Sequence, residues 1–210
     1  RTVNKELDPG RYLRWQRAPG GGIATCAIDL PGHGDRFEKS AQGSSATLDV
    51  VEKAAGEVDR VLRNLGGDRW RGAFDLSRVA IGGMSAGGMV TLVRLCWPHS
   101  FVCAAVESTA GDFQQMRTHT EFFTRGGRDP QGELATRLDP RRSLAEWRPI
   151  PFLALHSEKD SWVPVSAIRS FTDALKERYA GAGADPALVE LVTWPETGAP
   201  NEHAGFGRVA

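Results

Sequence analysis

The stretch Gly83-Met84-Ser85-Ala86-Gly87 constrains this 210-residue chain more than any other. It directly follows the apolar run Val79-Ala80-Ile81 and directly precedes the helix-like run Met89-Val90-Thr91-Leu92-Val93. A strand that turns at once into a helix forces the corner residue into a strained backbone conformation, and bulky neighbours two positions away on either side would collide. Glycine at 83 and 87 relieves that crowding. The corner lifts the Ser85 hydroxyl clear of the surface, and the helix N-terminus behind it favours developing negative charge. The pattern points to an activated serine; a structural Gly-rich turn is the competing reading.

Around this corner, strand-like and helix-like runs alternate, which predicts an α/β fold with a mostly parallel sheet and helices on both faces. The expected strands are Ile23–Asp29, Val79–Ile81, Phe101–Val106, Pro151–Leu155 and Leu188–Trp194. One helix carries apolar residues at three- and four-residue steps from Leu48 to Leu65, and Gly66-Gly67 ends it. Another places Ile168, Phe171, Ala174 and Leu175 on one side, and a third is expected around Arg11–Arg17. Neither repeats nor low-complexity tracts interrupt the chain.

Three further stretches give the elbow its context: Asp29-Leu30-Pro31-Gly32-His33-Gly34-Asp35-Arg36, Phe74 to Gly82, and His156-Ser157-Glu158-Lys159-Asp160-Ser161-Trp162-Val163-Pro164. With them, the chain resembles an α/β-hydrolase of the broad esterase, dienelactone-hydrolase and prolyl-oligopeptidase-like group, from about residue 20 onward. The resemblance implies the α/β-hydrolase fold and a serine mechanism, with an acid and then a histidine following the serine in the chain. Of the five histidines, only His203 lies beyond the best acid candidate, so it is the expected base. It sits in a polar, Gly/Pro-punctuated loop, Thr197 to Gly207. Asp160, in the polar loop after the Pro151–Leu155 strand, is the expected acid. Glu158 stands two residues away, and Asp112 or Glu107 would occupy the alternative acid position. His33 and His156 are read as structural.

The backbone N–H of Ala86, the residue after the nucleophile, is the expected oxyanion donor. The resemblance implies a second donor from a strand preceding Ile23, and that segment has no counterpart here; Gly20-Gly21-Gly22 reads instead as a turn. The chain is therefore expected to be a single domain, 1–210, incomplete at its N-terminus and without the closing C-terminal helix. Between residues 112 and 147 lies a polar, aromatic-dotted insertion too long to be a bare loop. It is read as a small cap whose aromatics Phe113 and Phe122, together with Met84 and Trp162, line a substrate pocket.

Lysine plus arginine and aspartate plus glutamate both number 26, a balance that gives no reason to expect nucleic acid or an anionic membrane as partner. No apolar run reaches the length of a membrane span. The three cysteines, Cys26, Cys96 and Cys103, read as buried free thiols, which leans toward a reducing, cytoplasmic setting. Their spacing suggests no metal site, and the chemistry needs neither metal nor cofactor. The leading expectation is hydrolysis of a small-molecule carboxylic ester through an acyl-enzyme formed on Ser85. The runner-up is a peptidase or acyl transferase on the same residues. The reading from another class is a ligand-binding homologue without turnover. Oligomeric state is left open by the sequence.

Overall fold

The computed structural model describes residues 23–119 and 132–204. Four parallel strands form its sheet in the order β1-β2-β3-β4: Ala80–Met84, Cys103–Glu107, Phe152–Ser157 and Val189–Trp194. Each pair is joined through at least one helix, as parallel strands require. The α-helices are α1 (Thr47–Leu65), α2 (Ala86–Leu95), α3 (Phe113–His119), α4 (Glu133–Leu138) and α5 (Val165–Gly181). The alternation of apolar runs thus yields the α/β-hydrolase architecture expected of it.

Burial alternates along the central strands, and the register explains why. Ala104 of β2 stands opposite Phe152 of β3, and Val106 opposite Ala154, so these side chains share one face. That face packs on Leu92 and Leu95 of α2 and on Ile168, Phe171 and Leu175 of α5, forming the larger core. The other face carries Cys103, Ala105, Leu153 and Leu155, all only partly buried. Among the described residues, α2 and α5 cover the first face.

Two expectations need correction. The run Ile23–Asp29 is not a strand: it joins none of the four-stranded ladder, and Ile23 and Ile28 are exposed. β-branched residues suit a strand only when a neighbour and a buried face receive them. Cys26, in the same run, is consequently exposed rather than buried. Cys96 does behave as a buried thiol, its pKa pushed up to about 12 chiefly by burial.

The middle of the 112–147 insertion, residues 120–131, lies outside the described residues, and with it the cap expected there. The described ends of the insertion belong to the body. Phe113 and Met116 of α3 and Ala135 and Leu138 of α4 are buried in a second core with Val51, Met89 and their neighbours. Leu144 and Trp147 join the larger core. Trp147 stacks edge-on against Phe152 and Phe171, at 6.0 and 5.5 Å between ring centroids. Its indole N–H donates to the Tyr179 hydroxyl, which donates to the Ile150 carbonyl and accepts from the Ile150 N–H. Such large apolar surfaces are stable only where they are withdrawn from water. Asp139 joins the two ends, accepting from the N–H groups of Gln114 and Arg141. Burial, then nearby Asp112, pushes its carboxyl up to about 6. Phe122 lies outside the described residues, as do Arg11–Arg17 and Gly20–Gly22.

Candidate active site

Ser85 occupies the corner between β1 and α2 with φ 53° and ψ −120°, the strained turn its neighbours predict. Adjoining groups hold it there. Its N–H donates to the Glu107 carbonyl at 2.9 Å, and its own carbonyl accepts from Thr109 Oγ1 at 2.8 Å and from the Met89 N–H at 3.0 Å. The glycines divide the work differently from the sequence reading. A Cβ on Gly83 would stand 2.4 Å from the Gly87 backbone, and one on Gly88 2.6 Å from the Thr109 Cβ, whereas one on Gly87 would meet nothing within 4 Å among the described residues. The close approach of strand and helix is thus felt at Gly83 and not at Gly87. Gly83→Ala should lower stability by about 1–3 kcal/mol. Gly87→Ala, inside a helix, should be neutral or stabilise by up to about 1 kcal/mol. The urea-denaturation midpoint should therefore fall for Gly83→Ala and hold or rise for Gly87→Ala, and equal losses would contradict this division.

The ends of β3 and β4 bring the other two groups to the same edge of the sheet. His203 is 3 % exposed, with Nε2 2.9 Å from Ser85 Oγ and Nδ1 2.8 Å from Asp160 Oδ2. With the proton on Nδ1, the ring donates to Asp160 and accepts from the serine hydroxyl. The other Asp160 oxygen, Oδ1, accepts from the N–H groups of Trp162 and Val163, both at 2.9 Å. That division leaves Oδ2 aimed at the imidazole.

The competing carboxylates are engaged elsewhere. Asp112 accepts from the Gln115 N–H and from Ser170 Oγ, tying α3 to α5. Glu158 accepts from Thr193 Oγ1 on the outer edge of the sheet. Glu107 meets Ser85 through its main-chain carbonyl. His33 lies in a turn with Nδ1 3.0 Å from the Pro31 carbonyl. His156 is fully buried behind Asp160, with Nε2 2.9 Å from the Val163 carbonyl and 3.5 Å from Asp160 Oδ2; burial lowers its pKa.

The pocket residues fare unevenly. Trp162 is 40 % exposed and its ring lies 4.9 Å from the His203 ring, where it shields the imidazole from bulk water. Met84 ends β1 beside the serine and is partly buried. Phe113, expected in the pocket, is fully enclosed in the second core. Ala86 opens α2, so its N–H is among the first-turn amides that the helix leaves without an internal partner. Among the described residues, no group of three or more His, Cys, Asp or Glu side chains could hold a metal ion, and no helix is long and apolar enough to cross a membrane.

Sequence reasoning overlooked Glu202, whose carboxylate gathers four hydrogen bonds next to His203. The loop around it carries two non-glycine residues at positive φ, Asn201 and Glu202. A carboxylate preceding the histidine in a Gly/Thr-rich turn was the one available signal.

Comparison with known proteins agrees with this architecture. Residues 69–198 match the prolyl oligopeptidase family, Peptidase_S9. No curated protein matches the chain. Among solved structures, an acylaminoacyl peptidase from Pyrococcus horikoshii superposes with a TM-score of 0.62 at 18 % identity, covering 84 % of this chain and 29 % of that one. A puromycin-hydrolyzing peptidase from Mycobacterium tuberculosis gives 0.53 at 20 %, covering 80 % and 24 %. Prolyl oligopeptidase B from Galerina marginata gives 0.59 at 13 %, covering 83 % and 25 %. At these identities the likeness is one of fold, and the chain spans under a third of each structure's length. With the family match running from before the elbow to the loop that carries the histidine, the chain belongs to the prolyl oligopeptidase family of α/β-hydrolase-fold serine hydrolases.

Proposed function

We propose that this chain is a serine peptidase, hydrolysing amide bonds through an acyl-enzyme with Ser85 as nucleophile, His203 as general base and acid, and Asp160 as the carboxylate that orients it. The observation that carries the reading is the continuous chain from Ser85 Oγ through both ring nitrogens of His203 to Asp160 Oδ2, at 2.9 and 2.8 Å, on a strained corner. Family membership favours amide over ester as the bond cleaved, displacing the ester preference read from the sequence.

In the first half-reaction Ser85 Oγ attacks the carbonyl carbon as its proton passes to His203 Nε2. The positive imidazolium is stabilised by Asp160, whose second oxygen is neutralised in part by two main-chain N–H groups. The Ala86 N–H, on the N-terminal turn of α2, faces the developing oxyanion; removing one such donor typically costs about 10²–10³ in turnover. His203 then returns its proton to the leaving nitrogen. Water, deprotonated by the same Nε2, releases the acid and restores Ser85. Neither metal nor cofactor takes part in this scheme.

Leaving-group preference tests the assignment. Matched aminoacyl p-nitroanilides and p-nitrophenyl esters should both be cleaved, with kcat/KM for the anilides at least about 10³ above the Ser85→Ala protein. Turnover of esters alone would return the chain to the carboxylesterase reading. A folded protein that turns over neither, yet binds the compounds equally with and without Ser85, would be the binding module.

A further inference from the structure

We infer that Glu202 is a positioning residue: it locks the His203 loop onto the end of β3, so that the imidazole meets Ser85 without a search. This rests on the catalytic reading of His203 above.

The carboxylate is almost saturated with donors. Oε2 accepts from Ser157 Oγ at 2.7 Å, from the Thr197 N–H at 2.6 Å and from Thr197 Oγ1 at 2.9 Å, and Oε1 accepts from the Gly198 N–H at 2.8 Å. Three of these donors belong to the same turn, which Glu202 therefore closes upon itself. The fourth, Ser157, is the last residue of β3, three positions before Asp160. A second tie lies on the other side of the acid, where the Ser161 N–H and Oγ both donate to the Asn201 carbonyl, at 3.2 and 3.1 Å. The loops carrying acid and base are thus joined on both sides of the Asp160–His203 bond and independently of it.

The loop needs such ties because its backbone resists the shape it takes. Asn201 and Glu202 have φ of 56° and 53°, a left-handed region that L-residues enter only at a cost. Asparagine tolerates this region; glutamate does not do so readily. Charge-assisted bonds are about twice as strong as neutral ones, so a carboxylate at 202 supplies what a neutral side chain cannot. Those donors, the Thr197 N–H foremost and then Ser157, hold the Glu202 carboxyl down to about 2. The clamp therefore stays ionised, and closed, throughout the range in which the enzyme would be assayed.

The test compares wild type with Glu202→Ala, Glu202→Gln and Ser157→Ala, each first checked for a cooperative melt. With a peptidyl anilide, Glu202→Ala should lower kcat about 10- to 100-fold with KM within about twofold, since misplacing a catalytic group by an ångström can cost 10². Glu202→Gln should fall between the two, and Ser157→Ala should lose less than Glu202→Ala. The second readout needs no turnover: the far-downfield NMR resonance of the proton between His203 Nδ1 and Asp160. It should be sharp in wild type and in Ser85→Ala, and broadened or lost in Glu202→Ala. A Glu202→Ala protein that keeps this resonance unchanged, or a wild type that lacks it, overturns the proposal. An inactive wild type whose sharp resonance is lost in Glu202→Ala would sink the peptidase reading while upholding the clamp.

Discussion

Ser85→Ala should abolish turnover, lowering kcat by on the order of 10⁶, because the only atom that forms the acyl bond is gone. Its fold should survive. Ser85 is held by its main chain, through the Glu107 carbonyl, Thr109 and Met89, and none of those bonds uses the hydroxyl that is removed. An unchanged melting curve beside absent activity is therefore the expected pair. Intact mass after a fluorophosphonate gives the direct check: wild type should gain one adduct, mapping to the Ser85 peptide. Ser85→Ala should gain none, and His203→Ala should react far more slowly. An adduct on another serine, or full labelling of His203→Ala, would be incompatible with the proposed roles.

Asp160→Asn should cost about 10⁴ in kcat while scarcely changing the structure. The reason is visible in how the carboxylate is partitioned. Oδ1 accepts from two N–H groups, those of Trp162 and Val163, so the carbonyl oxygen of an asparagine is bound to take that place. Its amide NH₂ is then turned toward His203 Nδ1, where a proton donor now stands. The ring answers by accepting at Nδ1 and carrying its own proton on Nε2. That nitrogen faces Ser85 Oγ at 2.9 Å and can no longer take the serine proton. Raising the pH will not restore the loss, because the defect is one of tautomer rather than of charge. A loss below about tenfold would mean that Asp160 does not orient the base.

Much of this site is legible in the order of the residues. A strand, a G-x-S-x-G corner and a helix follow one another without a break from Ala80 to Leu95, and their geometry is local: a bend, a missing Cβ and a helix start. His203 can be reached because no other histidine follows Asp160 in the chain. The choice of acid is less constrained, since Asp160 and Glu158 lie two apart on one loop. In the fold Glu158 turns outward to Thr193, while Asp160 meets His203 Nδ1 with one oxygen and the Trp162 and Val163 N–H groups with the other. Phe113 shows the opposite failure. An aromatic residue in a polar stretch looks the same whether it lines a pocket or fills a core, and only packing against Met89 and its neighbours assigns it to the core.

The chain by itself determined the α/β order, the strained serine and the residues that succeed it, because strand, turn and helix preferences act over a few neighbouring positions. Tertiary structure alone decided what depends on separate segments meeting. It set which oxygen of Asp160 faces the imidazole, and it withheld Ile23–Asp29 from the sheet. It folded both ends of the 112–147 insertion into the body, and it placed Glu202 on a donor 45 residues away. Hydrogen bonds and burial across such distances carry no periodicity along the chain; they come into being only when the strands are in register.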